Sequence, residues 1–154
     1  MSARILVADD HEVVRQGVRA ILQARPDWEI CGEAADGREA IRLTKQLRPD
    51  VVVMDITMPN MSGLEASQEI FKLNLPTRVL IFTMHESKSL APSVRKAGAQ
   101  GYVVKSRAAR DLIEALDRLL QGGTFFDYPT PSDEGENDKP NPGIIFRQAL
   151  SWAR

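Results

Sequence analysis

The feature that most constrains the fold of this chain is a repeated alternation of short apolar runs with longer amphipathic stretches. The five runs are residues 5–8, 28–31, 51–54, 79–82 and 102–104. The first, third and fourth are apolar at every position, which is typical of parallel strands covered on both faces of a sheet. The second is more mixed and fits an edge strand. Repeats of this kind predict an open, doubly wound α/β fold with five parallel strands.

The stretches between the runs have the spacing of helices. Apolar side chains recur every three or four positions within residues 14–22, 40–47, 64–73 and 112–120, which predicts four amphipathic helices. A further helix is indicated between Leu90 and Ala97, before Gly98. Pro92 lies inside this segment and counts against a helix there.

Length and composition exclude several classes of protein. The 154 residues suit one ordinary domain, and the net charge of -1 gives no basic excess of the kind that nucleic-acid binders carry. A lone cysteine, Cys31, excludes an intramolecular disulfide framework, and with two histidines it cannot build a four-ligand structural zinc site from Cys and His alone. Because no apolar run nears the ~20 residues of a membrane span and no signal-peptide pattern precedes the first run, we expect a cytoplasmic protein without a membrane partner.

The composition changes after Phe126. Residues 129–143 hold four prolines, two glycines and four acids against one lysine, which predicts a flexible linker. Residues 144–154 then return to an amphipathic helical pattern, too short for a stable isolated helix. We therefore divide the chain into a domain (residues 1–126), a linker (127–143) and a short C-terminal helix (144–154). That helix is expected to dock on its own domain, on a second copy in a homodimer, or on a partner.

Polar residues follow four of the predicted strands. Asp9 and Asp10 come after the first, Asp55 after the third, Thr83 ends the fourth and Lys105 follows the fifth. The carboxyl ends of strands in an open α/β sheet form the usual ligand site. Three carboxylates brought together repel one another unless a cation neutralises them, and hard oxygen ligands favour Mg²⁺.

The lysine in this set indicates a further ligand. A metal would repel Lys105, whereas an anion such as a phosphoryl group between lysine and metal would attract it, and Thr83 can donate a hydrogen bond to the same anion. The set therefore predicts a carboxylate nucleophile between Mg²⁺ and lysine, as phosphoryl transfer requires. Each residue alone has an ordinary explanation, such as an N-cap for Asp9 or Asp10. Their joint occurrence in chain order favours a site.

Several segments resemble response-regulator receiver domains of two-component systems. The segments are DDH at 9–11, PDVVVMDITMP at 49–59, SGL at 62–64, TMH at 83–85 and AGAQGYVVK at 97–105. The first and fourth, together with GGTFF at 122–126, resemble the subgroup that precedes LuxR-type helix-turn-helix domains. The resemblance spans residues 4 to about 126. It implies a flavodoxin-like or CheY-like sheet with strand order 2-1-3-4-5.

The resemblance also implies a role for each site residue. Asp55 would accept a phosphoryl group from a sensor histidine kinase, in a protein that slowly hydrolyses this group but is not a dedicated enzyme. The Mg²⁺ ligands would be Asp9, Asp10, Asp55 and the backbone carbonyl of Thr57. Lys105 would contact the phosphoryl group, and Thr83 with Tyr102 would form the switch that reports it. From the residues alone, Tyr102 reads equally well as half-buried packing at a strand start.

The chain departs from the family pattern in two places. Ser106 stands where a proline often follows the lysine, so a cis peptide bond there is not enforced. The 28 residues after Phe126 cannot hold a helix-turn-helix domain, so no direct DNA binding is expected and the output protein is unknown. A truncated remnant of a LuxR-type transcription regulator is the main alternative, which reading the nucleotide sequence beyond codon 126 in all frames would test.

Other functions fit the residues less well. A phosphatase of the haloacid dehalogenase type needs an aspartate two residues after the nucleophile, where this chain has Thr57. Neither of the glycine-rich nucleotide-binding motifs occurs. A receiver that acts by protein binding without phosphorylation would not need Asp55 or Lys105. His11 and His85 are expected to face solvent near the site.

Overall fold

Strands and helices alternate along the part of the chain that the computed structural model describes, which is residues 2–84, 86–87 and 89–126. The strands are β1 (Ala3–Ala8), β2 (Trp28–Ala34), β3 (Val51–Met54), β4 (Arg78–Thr83) and β5 (Gly101–Val104). The helices are α1 (Glu12–Leu22), α2 (Gly37–Leu47), α3 (Gly63–Lys72), α4 (Leu90–Lys96) and α5 (Ala108–Leu120), with a 3₁₀ turn at Lys105–Arg107. All strand pairings are parallel, in the order β2-β1-β3-β4-β5. This confirms the predicted doubly wound fold and its strand order.

The core lies on both faces of the central strands. Every residue of β3 is buried, which agrees with its uninterrupted apolar run. From the helices, Leu112, Leu116 and Leu119 of α5 are fully buried against the sheet. Burial on both faces explains why these strands show no polar alternation.

β2 forms one edge of the sheet, as its mixed composition predicts. Most of its residues are only partly buried. Its register against β1 shifts between Ile5, which pairs with Ile30, and Leu6, which pairs with Gly32. Cys31 is thus the extra residue of a bulge, a device that discourages pairing with another chain.

α4 forms despite Pro92. The proline is the third residue of the helix Leu90–Lys96. In the first turn a backbone N–H has no carbonyl acceptor within the helix, so proline removes no hydrogen bond there. The expectation that Pro92 counts against this helix was therefore wrong.

A short segment after α5 extends the sheet beyond β5. Phe125 forms a parallel bridge with Gly101: the Tyr102 N–H donates to the Phe125 carbonyl at 3.0 Å, and the Phe125 N–H donates to the Gln100 carbonyl at 3.0 Å. A Cβ atom on Gly101 would lie 2.6 Å from the Phe125 carbonyl oxygen. Only glycine therefore permits this approach.

The predicted linker at 127–143 and the predicted helix at 144–154 lie outside the described residues. Within the described part of the chain, no helix is both long enough and apolar enough to cross a membrane.

Candidate functional site

Four buried polar side chains lie at the carboxyl edge of the sheet. Asp9 directly follows β1, Asp55 directly follows β3, Thr83 ends β4 and Lys105 directly follows β5. All four residues are between 1% and 5% exposed. Because β1, β3, β4 and β5 are neighbours in the sheet, residues 96 positions apart in the chain come into contact. Buried charged groups of this kind require partners.

Lys105 partners two of the carboxylates. Its Nζ donates to Asp9 Oδ2 at 2.7 Å and lies 3.4 Å from Asp55 Oδ1. The sequence pattern alone explained the lysine by an anion between it and a metal. The structure shows that the two carboxylates by themselves account for a buried ammonium group at this position.

Asp55 is held where its charge is costly. Burial raises the pKa of its carboxyl group, Asp9 raises it further, and the ammonium of Lys105 partly opposes both effects. The single positive charge of Lys105 therefore does not fully offset the effects of burial and of Asp9 on the Asp55 carboxylate. An additional cation would favour the ionised form.

A metal ion fits the arrangement of oxygen atoms beside Asp55. Ligand atoms of Asp9, Asp10, His11 and Asp55 lie within 4.8 Å of one another. Asp10 and His11 are exposed at the rim, and His11 Nδ1 lies 3.2 Å from an oxygen of each of the two neighbouring aspartates. The cluster of three carboxylates is open to solvent on the side of Asp10. Such a donor set suits Mg²⁺, which keeps several of its waters when it binds to a protein. Thr57, the fourth predicted ligand, lies in the exposed loop between β3 and α3.

Gly63 lets α3 begin directly against the backbone of Asp55. A Cβ atom on Gly63 would fall 1.8 Å from the Asp55 carbonyl oxygen, and the Gly63 N–H donates to the Ile56 carbonyl at 2.7 Å. The preceding Ser62 caps α3 in a reciprocal capping box with Glu65. The SGL segment therefore shapes the loop after Asp55 rather than supplying a ligand.

Thr83 and Tyr102 lie on adjacent strands, paired as Thr83 with Val104 and Ile81 with Tyr102. The tyrosine is 5% exposed, so the half-buried packing considered from the sequence understates its burial. Burial raises the pKa of its hydroxyl group, and the nearby carboxylate of Glu86 raises it further. Its ring meets that of Phe126 edge to face, with the ring centroids 6.1 Å apart.

Two contacts near the site were not predicted from the sequence. The Arg95 guanidinium lies over the Phe126 ring, 3.8 Å from its centroid. Arg15 Nη1 donates to the Asp9 carbonyl at 2.6 Å. An arginine on an amphipathic helix usually faces solvent. The sequence signal that Arg15 faces inwards is its position three residues before the buried Val18, because residues three apart lie on the same face of a helix.

Comparison with known proteins identifies the family of this domain. The family model for the response regulator receiver domain matches residues 5–117. The transcriptional regulatory protein DegU of Brevibacillus brevis is 37% identical over 122 residues, which cover 79% of this chain and 52% of DegU. The transcriptional regulatory protein LiaR of Bacillus subtilis (strain 168) is 38% identical over 152 residues, which cover 94% of this chain and 72% of LiaR. The chain thus spans about half the length of DegU.

A solved structure shows the same fold. The crystal structure of a two-component response regulator of the LuxR family from Aurantimonas sp. SI85-9A1 matches with a TM-score of 0.79 at 40% identity. The match covers 88% of this chain and 95% of that one. The chain therefore belongs to the response-regulator receiver domains of two-component systems and is close to their LuxR-type members.

Proposed function

We propose that this chain is a phosphoacceptor in a two-component phosphorelay, and that Asp55 receives the phosphoryl group from a sensor histidine kinase. The observation that carries the proposal is the buried Asp55 carboxylate with an ammonium 3.4 Å away and further carboxylates beside it. The Asp55 oxygen bonds to phosphorus while the phosphorus–nitrogen bond of phosphohistidine breaks. The imidazole nitrogen keeps the electron pair and takes up a proton.

Asp9, Asp10, Asp55 and the Thr57 carbonyl are the proposed Mg²⁺ ligands. The bound ion would supply positive charge for the carboxylates and the phosphoryl oxygens. Lys105 Nζ lies 3.4 Å from Asp55 Oδ1, so its ammonium would also be close to the oxygens of a phosphoryl group bonded to Asp55. The chain would hydrolyse its own acyl phosphate slowly and would not act as a dedicated enzyme.

The proposed switch consists of Thr83 and Tyr102. A phosphoryl group adds a charge of roughly -1.5 to -2 at Asp55, and the Thr83 hydroxyl can donate a hydrogen bond to it. A movement of Thr83 would reach the adjacent strand and the tyrosine packed against Phe126. The switch is then a shift between two populations, and its extent depends on how differently they bind the phosphoryl group.

The test is intact-mass spectrometry after incubation with Mg²⁺ and acetyl phosphate. We expect one added phosphate on the wild type, none on Asp55→Asn and none when EDTA is present. Asp117→Asn on the outer part of α5 is the matched control and should be phosphorylated like the wild type. A phosphate that persists in Asp55→Asn contradicts the assignment. In the same samples, amide NMR shifts that spread over residues 83–106 support the switch, and shifts confined to the neighbours of Asp55 contradict it.

We place the protein in the cytoplasm, with a histidine kinase as the input partner and an unidentified protein as the output partner. Direct DNA binding is not part of this proposal. A homodimer, formed through the predicted helix at 144–154, is one arrangement consistent with the sequence pattern.

The second candidate function is that of a DNA-binding transcription regulator. The match to LiaR covers 94% of the chain and so extends beyond residue 117, where the receiver match ends. A helix-turn-helix segment encoded in any frame beyond codon 126 would support this candidate. Its absence there would favour the phosphoacceptor acting through a protein partner.

A further inference from the structure

Arg15 connects the acidic loop after β1 to the edge strand β2. It lies at the end of the first turn of α1 and its side chain is 17% exposed. Its Nη1 donates to the Asp9 carbonyl at 2.6 Å, and its Nε donates to Glu33 Oε1 at 2.8 Å. Arg19, one turn later, pairs with the other oxygen of Glu33. The guanidinium thus bridges a backbone group of the site and a carboxylate of the sheet.

The bond from Arg15 completes the set of contacts that hold Asp9. The Asp9 N–H donates to the Ala34 carbonyl at 2.9 Å. Its two side-chain oxygens accept from the His11 N–H at 2.9 Å and from Lys105 Nζ at 2.7 Å. The Asp9 carbonyl belongs to the peptide unit that leads to Asp10. Because that unit is planar, fixing the direction of its carbonyl fixes where the backbone of Asp10 starts.

Asp10 depends on this peptide more than Asp9 does. Its side chain is 32% exposed, and its Oδ1 lies 3.2 Å from Nδ1 of His11, which is itself exposed at the rim. We propose that Arg15 is a positioning residue, which orients the Asp9–Asp10 peptide so that both carboxylates face a divalent cation. This inference rests on the metal site of the proposed function.

Charge and geometry predict effects of opposite sign when Arg15 is replaced. Loss of a guanidinium removes positive charge near the site, which by Coulomb's law strengthens Mg²⁺ binding. Loss of the bond to Asp9 frees the peptide, which weakens Mg²⁺ binding. Groups that orient metal ligands typically change metal affinity by about 10- to 100-fold. The direction of the change therefore separates the two effects.

The experiment compares Arg15→Met with Arg19→Met in the full chain by calorimetric titration with MgCl₂. Both variants remove one charge and one partner of Glu33, but among the described residues the bond to Asp9 belongs to Arg15 and not to Arg19. We expect Arg15→Met to weaken Mg²⁺ binding about tenfold, and Arg19→Met to bind as the wild type or slightly more tightly. Arg15→Lys keeps a donor and the charge and should recover part of the loss. Unchanged or tighter binding in Arg15→Met overturns the proposal.

A second readout does not depend on the metal. In the Mg²⁺-free protein, Arg15→Met should shift the amide NMR signals of Asp10 and His11 and speed their hydrogen exchange, whereas Arg19→Met should leave them as in the wild type. A wild type that does not bind Mg²⁺ while these amides respond would refute the metal site and retain the positioning role. A wild type that binds Mg²⁺ while Arg15→Met alters neither readout would refute the positioning role alone.

Discussion

The two edges of the sheet are protected in different ways. β2 is partly exposed, carries the bulge at Cys31 and has the carboxylate of Glu33 between two arginines of α1. β5 is buried at all four positions and is covered by the backbone of Phe125. An open edge is a site for unwanted strand pairing, and charged side chains, bulges and covering segments all prevent it.

This difference separates what each half of the site depends on. On the β2 side, side chains with some freedom hold the acidic loop, so the contacts depend on charge. On the β5 side, close approach of two backbone segments holds Tyr102, so the contacts depend on shape. We expect the β5 edge to tolerate less change in packing and the β2 edge to respond more to pH.

The largest expected contrast comes from removing an apolar side chain at each edge. Phe125 is 5% exposed in the core, and Phe125→Ala should lower the free energy of unfolding by about 3–5 kcal/mol. Ile30 on β2 is partly buried, and Ile30→Ala should cost about 1–2 kcal/mol, below the full range for buried aliphatic residues. Urea denaturation measures both. Equal losses of unfolding free energy would mean that the two edges are equally well packed. That result would contradict the inference that the β5 edge depends more on packing than the β2 edge.

A smaller contrast uses one glycine on each edge. A Cβ atom on Gly101 would meet backbone atoms of Phe125 at 2.6 and 2.9 Å, whereas one on Gly32 would meet the ends of the Leu47 and Leu6 side chains at 2.9 and 3.3 Å. Side-chain ends can move, but the bridging backbone cannot move without breaking its hydrogen bonds. We expect Gly101→Ala to cost about 1–3 kcal/mol and Gly32→Ala to stay within about 1 kcal/mol of the wild type.

Thermal unfolding of the two glycine variants, followed by circular dichroism, is sufficient for this measurement. If Gly32→Ala proves the more destabilising of the two, the β2 edge is the more rigidly packed edge and the comparison is reversed.

The strands and the site residues at their ends were predictable from the sequence because both depend on local patterns. An uninterrupted apolar run such as residues 51–54 indicates a buried strand, and the polar residue after it must then lie at the ligand-binding edge. The strand order came from the family resemblance, since apolar runs do not specify their neighbours. Position in the chain was therefore enough to group Asp9, Asp55 and Lys105 as candidates for one site.

The contacts that complete the site left no such pattern. The approach of Phe125 to Gly101 joins residues 24 positions apart through backbone atoms, which hydrophobic periodicity does not report. Arg15 resembles any basic residue on a helix surface until its Asp9 partner is seen. Pro92 was misleading because the effect of a proline depends on its place in the helix: as the third residue after a start at Leu90, it removes no hydrogen bond.

The smallest expected effect tests the charge dependence of the β2 side. Asp36, which follows β2, caps α2: its Oδ1 accepts from the Glu39 N–H at 2.8 Å and its Oδ2 accepts from Asn60 Nδ2 at 2.9 Å. The backbone hydrogen bond from Glu39, followed by the bond from Asn60, lowers the pKa of this carboxyl group. Asp36→Asn keeps an acceptor oxygen for the Glu39 N–H and removes the charge. Its amide nitrogen then faces Asn60, whose own amide can turn over to accept from it, so the main change is the loss of charge.

The sign of the pH dependence is set by the lowered pKa. The folded state holds the Asp36 proton less tightly than the unfolded state, so the charge stabilises the fold above the ordinary pKa of 3.8. This stabilisation is lost as the pH falls from there through the lower folded pKa. At pH 7 we expect the free energy of unfolding of Asp36→Asn to be about 0.5 kcal/mol lower than that of the wild type. The value is small because the carboxylate is exposed to solvent. The difference should shrink towards zero in strong acid, whereas the loss in Phe125→Ala should persist at every pH at which both proteins fold. Urea titrations of the three proteins from pH 7 downwards measure this, and a constant Asp36→Asn difference would show that the cap on the β2 side depends on shape rather than charge.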